Sequence, residues 1–404
     1  MPTPSPSKAR DPRVDLLRGL SLLSIFVDHT PGNRLAGLTL RNFGFSDAAE
    51  LFVILAGYSA TFAYGRVFER DGIGTGLKKV LLRCLQIYGV QVGLLLLTLL
   101  FVSQWEELYG MEATIVRPML RDGWHGAMRG VALQALPANL DILPLYIVLL
   151  AVFPLIRFGL THMARAAVAM SILLYAVANV AHLNLPNAVD PLDAVHWYFN
   201  PFTWQLIFVS GCVLATGVQR RAPVMTDPPA VLRAACWAYL VLAFLALDAW
   251  ALWPNPFGAD FSGTSPALAI FGNEPKTFVS PWRLCNVLAM TFLALTSPQL
   301  ARLARHAILT PILACGRNSL QVFALGCIIA LVGRLTFRSY GVTTLTQVLV
   351  NTIGLGSMLL LGVILDRMKA GRAADRDGGV QRDGGRRVKS GETRPPETDP
   401  RPVS

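Results

Sequence analysis

The sequence predicts an all-α protein, a polytopic transmembrane helical bundle of about ten spans with both termini cytoplasmic. Three observations carry that expectation. Hydrophobic residues make up 53% of the 404 and charged residues 15%, against roughly 25% charged in an ordinary soluble domain. Apolar runs of spanning length recur along the chain. Lys and Arg are spread unevenly over the connections between them. The composition excludes a disordered chain, a coiled coil and a soluble basic nucleic-acid binder, so the net charge of +11 has to be read by position.

A bilayer-spanning helix needs about 20 mostly apolar residues. Cys84 to Trp105, Ala166 to Val189, Ala194 to Gln219 and Ser339 to Leu365 meet that need without one Asp, Glu, Lys or Arg. Leu16 to Leu35, Phe43 to Tyr64, Asp141 to Arg157, Arg233 to Trp253, Arg283 to Ala301 and Ala307 to Gly333 carry charge near one end. Only helices or closed barrels satisfy the backbone in lipid, and runs of this length are not barrel strands.

Orientation follows from the positive-inside rule. With the N-terminus inside, the inner connections hold sixteen Lys and Arg before the C-terminal tail, and the outer ones hold nine. Residues 1–12 read as a cytoplasmic arm without a cleavable signal, 13–369 as the integral membrane domain, and 370–404 as a disordered cytoplasmic tail with nothing to bury. The long connections, Ser103 to Leu140 and Pro254 to Pro281, fall outside. Their aromatic residues, Trp124, Phe257, Phe261 and Trp282, suit either an interfacial belt or a sugar-binding surface. The six cysteines form no metal-ligand spacing and no disulfide framework, so no metal is expected. No internal repeat is visible, which disfavours a transporter built from inverted halves.

The first apolar run carries the chemistry. Arg18 and His29 are eleven residues apart, about three turns plus 20°, which places both on one helix face roughly 16 Å apart along the axis. Arg18 lies toward the cytoplasmic mouth and His29 toward the outer half. An ionisable residue at that depth is a functional candidate; the competing reading is a histidine that ends a helix broken by Pro31 and Gly32. Glu50, entering the outer leaflet with the second run, could accept the imidazole N–H and fix its tautomer, or serve only as a partner of the helix dipole. Asp15 reads as a structural partner of Arg18. His125, His162, His182, His196 and His306 read as ordinary solvated residues and Asp248 as interfacial.

An Arg and a His with ten residues between them in a first span, then an acid before Leu51-Phe52-Val53-Ile54-Leu55-Ala56-Gly57-Tyr58, resembles the acyltransferase-3 superfamily of membrane O-acyltransferases. The stretches Arg10-Asp11-Pro12-Arg13-Val14-Asp15, Asp28-His29-Thr30-Pro31-Gly32-Asn33 and Thr39 to Glu50 are similar to one branch, the OpgC family of periplasmic glucan succinyltransferases. Leu140-Asp141-Ile142-Leu143-Pro144-Leu145-Tyr146 and Gly316-Arg317-Asn318-Ser319-Leu320 look like the same branch. The resemblance covers roughly residues 10 to 366. One departure stands out: Gln86 occupies the place where the superfamily often has the second Arg of an R-x-x-R pair, with Lys78 and Lys79 nearby.

The resemblance implies transfer of an acyl group, succinyl by this branch, from cytoplasmic acyl-CoA to hydroxyls of a periplasmic glucan, in a bacterial inner membrane. Acyl-CoA would be a co-substrate, with no permanently bound cofactor. His29 would be the general base or a transient acyl acceptor, with Glu50 and Asp28 completing the catalytic set. Arg13, Arg18, Arg83 and Lys79 would hold the phosphate end of the donor. Arg317, Asn318 and Asp47 would contact substrate; the alternative for Arg317 and Asn318 is to cap a broken ninth span and pair with Asp366. An acetyltransferase of another surface polysaccharide and a small-solute transporter remain open readings. Partners are the bilayer, the donor and the glucan, with no nucleic acid; the oligomeric state is not legible.

Overall fold

The computed structural model describes residues 11–110, 116–190, 195–246 and 276–389. The N-terminal arm up to residue 10, Asp248, Trp253, Phe257, Phe261 and the last fifteen residues lie outside them. The described chain is almost entirely helical. All ten apolar runs carry a helix, and six helices are long and apolar enough to cross a membrane.

Helix α1 (Pro12–Asp28) begins where the Asp11 carboxylate accepts the Arg13 N–H and proline fills the first turn. It ends at Asp28, about two turns before the expected limit at Leu35. Pro31 and Gly32 (φ 85°) turn the chain, which then runs through short 3-10 turns at Arg34–Leu38 and Leu40–Asn42. Helix α2 (Ala48–Arg70) descends through the centre, buried on nearly every side. Helix α3 (Gly72–Tyr109) follows, then α4 (Arg117–Arg121) and α5 (Gly123–Val131) in the long connection. Next come α6 (Ile142–His162) and α7 (Ala164–Val180).

The sixth span was expected to open at Ala194, which lies outside the described residues. The Val195–His196 strand that follows pairs antiparallel with Pro186–Asn187, and α8 (Pro201–Gln219) starts only at the Asn200 cap. Then follow α9 (Pro223–Thr226), α10 (Ala230–Ala246), α11 (Pro281–Thr296) and α12 (Pro298–Leu303). The ninth run breaks at Asn318 into α13 (Thr310–Arg317) and α14 (Ser319–Tyr340). Helix α15 (Thr344–Lys389) closes the described chain. It carries helix across residues 370–389, where irregular chain was expected; elongating a helix already nucleated in an apolar span costs little.

Glycine sets the closest contacts. A side chain on Gly57 would run into the Phe208 carbonyl, and one on Gly211 into the Ile54 carbonyl, so α2 and α8 pack backbone to backbone. Gly19 and Gly316 do the same for α1 and α13. Small residues at helix crossings are how helices associate where lipid removes the hydrophobic drive. The outside is apolar instead: α3 exposes Leu81, Leu82, Leu85, Leu96 and Leu100, a surface suited to acyl chains rather than water.

Candidate active site

The outer end of α1 and the start of α2 are locked by two nets of polar contacts. In the first, the segment after α1 is clipped to α15. Asn33 and Asn351 exchange side-chain amide hydrogen bonds at 2.8 and 3.0 Å, and the Gln347 amide donates to the Gly32 carbonyl at 2.6 Å. Arg334 of α14 donates to the His29 carbonyl at 2.9 Å. In the orientation that satisfies both groups, the Asn139 side-chain oxygen accepts from the same guanidinium. Asp28 accepts from the Thr39 hydroxyl at 2.7 Å and stands 4.0 Å from Arg41.

The second net is a capping box with buried cations. Asp47 caps α2 by accepting the Ala49 N–H at 2.8 Å, and Glu50 reaches back to accept the Asp47 N–H at 3.0 Å. The other Glu50 oxygen accepts from Arg283 Nε at 2.6 Å, and the other Asp47 oxygen from Lys276 Nζ at 2.5 Å. Lys276 also lies 5.7 Å from the ring centres of Tyr198 and Phe199. Burial works to raise the Asp47 carboxyl, but the Lys276 and Arg283 charges and the Glu50 contact outweigh it and hold the carboxyl well below the usual range. Burial likewise works to lower Lys276, and Asp47 and Glu50 overturn it, keeping the ammonium firmly protonated.

The expected Glu50–His29 hydrogen bond is absent. Both Glu50 oxygens are occupied, one by its own helix start and one by Arg283. Among the described residues the His29 ring takes no side-chain hydrogen bond. The charges acting on it are those of Lys276, Arg334 and Asp47. Lys276 also acts on Asp28, Asp141 and Tyr198, so these residues feel the same buried positive charge as the histidine. Lys276, Arg283, Arg334 and Asp141 were missed as site residues. The signal for the first two was available in principle, since two acids facing the outer leaflet at Asp47 and Glu50 require buried counter-charges.

The other end of α1 holds Arg18. Its guanidinium donates to Ser59 at 3.3 Å and Ser319 at 2.6 Å and lies over the Phe52 ring, between α1, α2 and α14. The charges of Arg18 and Arg83 both act on the Tyr64 hydroxyl. Arg83 also donates to Gln86 at 2.7 Å, the residue standing where a second arginine was expected. Lys79 is exposed on α3. Arg13 is held by the Asp11 carboxylate and reaches the Ser297 carbonyl, so most of its fork is already used.

Arg317 and Asn318 follow the capping alternative. Arg317 forks onto Asp366 at 2.9 and 2.7 Å. The Asn318 amide donates to the Ala314 and Gly362 carbonyls across the break in the ninth run. Because the adjacent Ser319 binds Arg18, this pair sits at the Arg18 end of α1 and cannot cradle an oxyanion beside His29.

No curated protein matches the chain. The family model described as "OpgC protein" matches residues 10–370, which include both ends of α1, the capping box and the Arg317–Asp366 pair. The chain therefore belongs to the OpgC protein family, a membership that implies a membrane acyltransferase acting on glucans.

Proposed function

We propose that the protein moves a succinyl group from cytoplasmic acyl-CoA to a hydroxyl of a periplasmic glucan across the bacterial inner membrane. It does so as a ten-span bundle with both termini inside. The observation that carries the reading is the disposition of α1: Arg18 is held at one end by Ser59 and Ser319, and His29 caps the other, acted on by the charges of Lys276, Arg334 and Asp47.

Donor and acceptor begin on opposite sides of the membrane, so the thioester has to be drawn along α1. Arg18 and Arg83, whose charges both act on Tyr64, bind the phosphate end, where guanidinium groups suit oxyanions. Arg13 and Lys79 add positive charge at the same mouth. At the other end, the His29 imidazole takes the proton of the glucan hydroxyl as its oxygen attacks the thioester carbon. The carbon–sulfur bond breaks, and the imidazolium returns the proton to the leaving thiolate. Asp47 is the negative charge that acts on the developing imidazolium. Asp47 and Glu50 also fix the start of α2 and hold Lys276 and Arg283 in place. Lys276, whose charge acts on both His29 and Asp28, suits the free carboxylate of a succinyl group.

Mass spectrometry of periplasmic glucans from cells with and without the gene tests the reaction. Glucans should lose a 100-Da succinyl increment (~100 Da from the chemistry of the ester) and a negative charge when the gene is deleted. Loss of a smaller acetyl increment would favour the acetyltransferase reading, and unchanged glucans would remove the glucan from the account.

A further inference from the structure

A second cavity lies at the opposite end of the molecule from His29, among the C-terminal turns of α2, α6 and α8. It holds about 320 Å³ and carries Arg66, Arg157 and Arg220 around Thr61, Phe62 and Phe153. Cations near helix C-termini are expected from the dipole alone. The surplus is what goes further. Arg157 is met by Glu69 at 2.9 Å, with its guanidinium laid against the backbone at Gly65, where any side chain would obstruct it. Arg66 rests over the Phe62 ring, and neither it nor Arg220 has an acidic partner among the described residues. The lining therefore carries three guanidinium groups against one carboxylate.

The roof of the cavity is closed. Thr61 donates to the Gly57 carbonyl and Cys212 Sγ lies 3.4 Å from the same atom, directly below the backbone contact of α2 with α8 at Gly57 and Gly211. Arg18 meets α2 through Ser59 instead, toward α1 and α14. A molecule in this cavity thus has no path between α2 and α8 to His29.

We propose that the cavity binds a phosphate group, and that it is the headgroup of an anionic phospholipid of the inner leaflet rather than the phosphate end of the acyl donor. Basic pockets between helices on the cytoplasmic side recognise such headgroups, and the apolar Phe62, Phe153 and Leu160 offer a wall to the upper part of a lipid. The inference rests on the inside-facing orientation proposed above.

The test uses the full chain in nanodiscs of mixed phosphatidylglycerol and phosphatidylcholine, followed by native mass spectrometry of retained lipid. Wild type should retain phosphatidylglycerol preferentially. Arg66→Gln with Arg220→Gln should weaken retention at least tenfold, since each arginine near an anionic surface contributes about fivefold. Arg66→Lys with Arg220→Lys should keep most of it, which separates lost charge from lost folding. Millimolar adenosine 3′,5′-bisphosphate should not displace the lipid. Equal retention of both lipids, or retention unaffected by the glutamine pair, would overturn the site. Displacement by the nucleotide would overturn the lipid assignment and make the cavity a donor site. Glucan acylation is read separately, so failure here leaves the proposed reaction standing.

Discussion

Glu50 is fully buried, and its charge is matched by Arg283, which is itself mostly buried. Removing one member of such a pair leaves the other charged and desolvated, at a cost of roughly 3–5 kcal/mol, whereas replacing both can be nearly neutral. Glu50→Gln should therefore destabilise the protein by about 3 kcal/mol, and Arg283→Gln should do the same. The double variant should recover much of the loss. Thermal unfolding of the three variants in one detergent decides it: a double variant as unstable as the two singles combined would mean that the residues act independently. The residue pattern here was partly legible. Asp47 followed three residues later by Glu50, ahead of an apolar run, is the sequence form of a capping box. What the sequence hid was the partner, because Lys276 and Arg283 lie more than 220 residues away and look like ordinary outer-loop charges. That is why Glu50 was assigned to His29.

Among elements, run length located the long apolar helices but not the short ones in the connections, such as α4, α5 and α9, while local polar chemistry decided where each long one stops. The first run is apolar as far as Leu35, yet α1 ends at Asp28 because Pro31 and Gly32 turn the chain. The ninth run reads as one span and breaks at Asn318, whose side chain donates to the Ala314 carbonyl before the break and to the Gly362 carbonyl of α15. Neither could be fixed from hydropathy, although Pro31, Gly32 and Asn318 were visible as candidate breakers. The clip between Asn33 and Asn351 is a tertiary pairing with no local signal at all. Its function is to hold the segment after His29 against α15. Asn33→Ala and Asn351→Ala each leave a buried amide unsatisfied and should cost about 1–3 kcal/mol. The double variant removes both amides, leaves only the Leu35 N–H that Asn33 also capped, and should cost no more than the Asn33 single. Thermal midpoints of the three variants test this, and additive losses would show that the two amides are not partners.

For the whole molecule, the proposed orientation is the one the charge asymmetry favours, and the proposed reaction depends on it. With both termini inside, the connection bearing α4 and α5 would face the periplasm and the turn between α2 and α3 the cytoplasm. Single cysteines placed at His125 and Gly72 in a cysteine-free background report this directly; the background matters because Cys285 is exposed. A membrane-impermeant thiol reagent added to the periplasm should label position 125 and spare position 72. The reverse pattern would place His29 on the cytoplasmic side and discard the mechanism with the topology. The all-helical class was legible because apolar runs of this length have few alternatives. The interior was not, since the contacts of α1 with α13 and of α2 with α8 depend on glycines whose meeting no hydropathy pattern announces.

The central claim is that His29 accepts the proton of the glucan hydroxyl, and one measurement reaches it most directly. Inverted membrane vesicles carrying wild-type or His29→Gln protein in equal amounts are supplied with radiolabelled succinyl-CoA outside and glucan within, and label on the glucan is followed over time. A general base contributes about 10²- to 10⁴-fold, so the variant should fall by at least a hundredfold, and more donor should not restore it. Arg18→Ala, run alongside, should lose rate but recover part of it as succinyl-CoA is raised. His29→Gln vesicles that acylate glucan at near wild-type rate would contradict the account and leave His29 as the residue that merely ends α1.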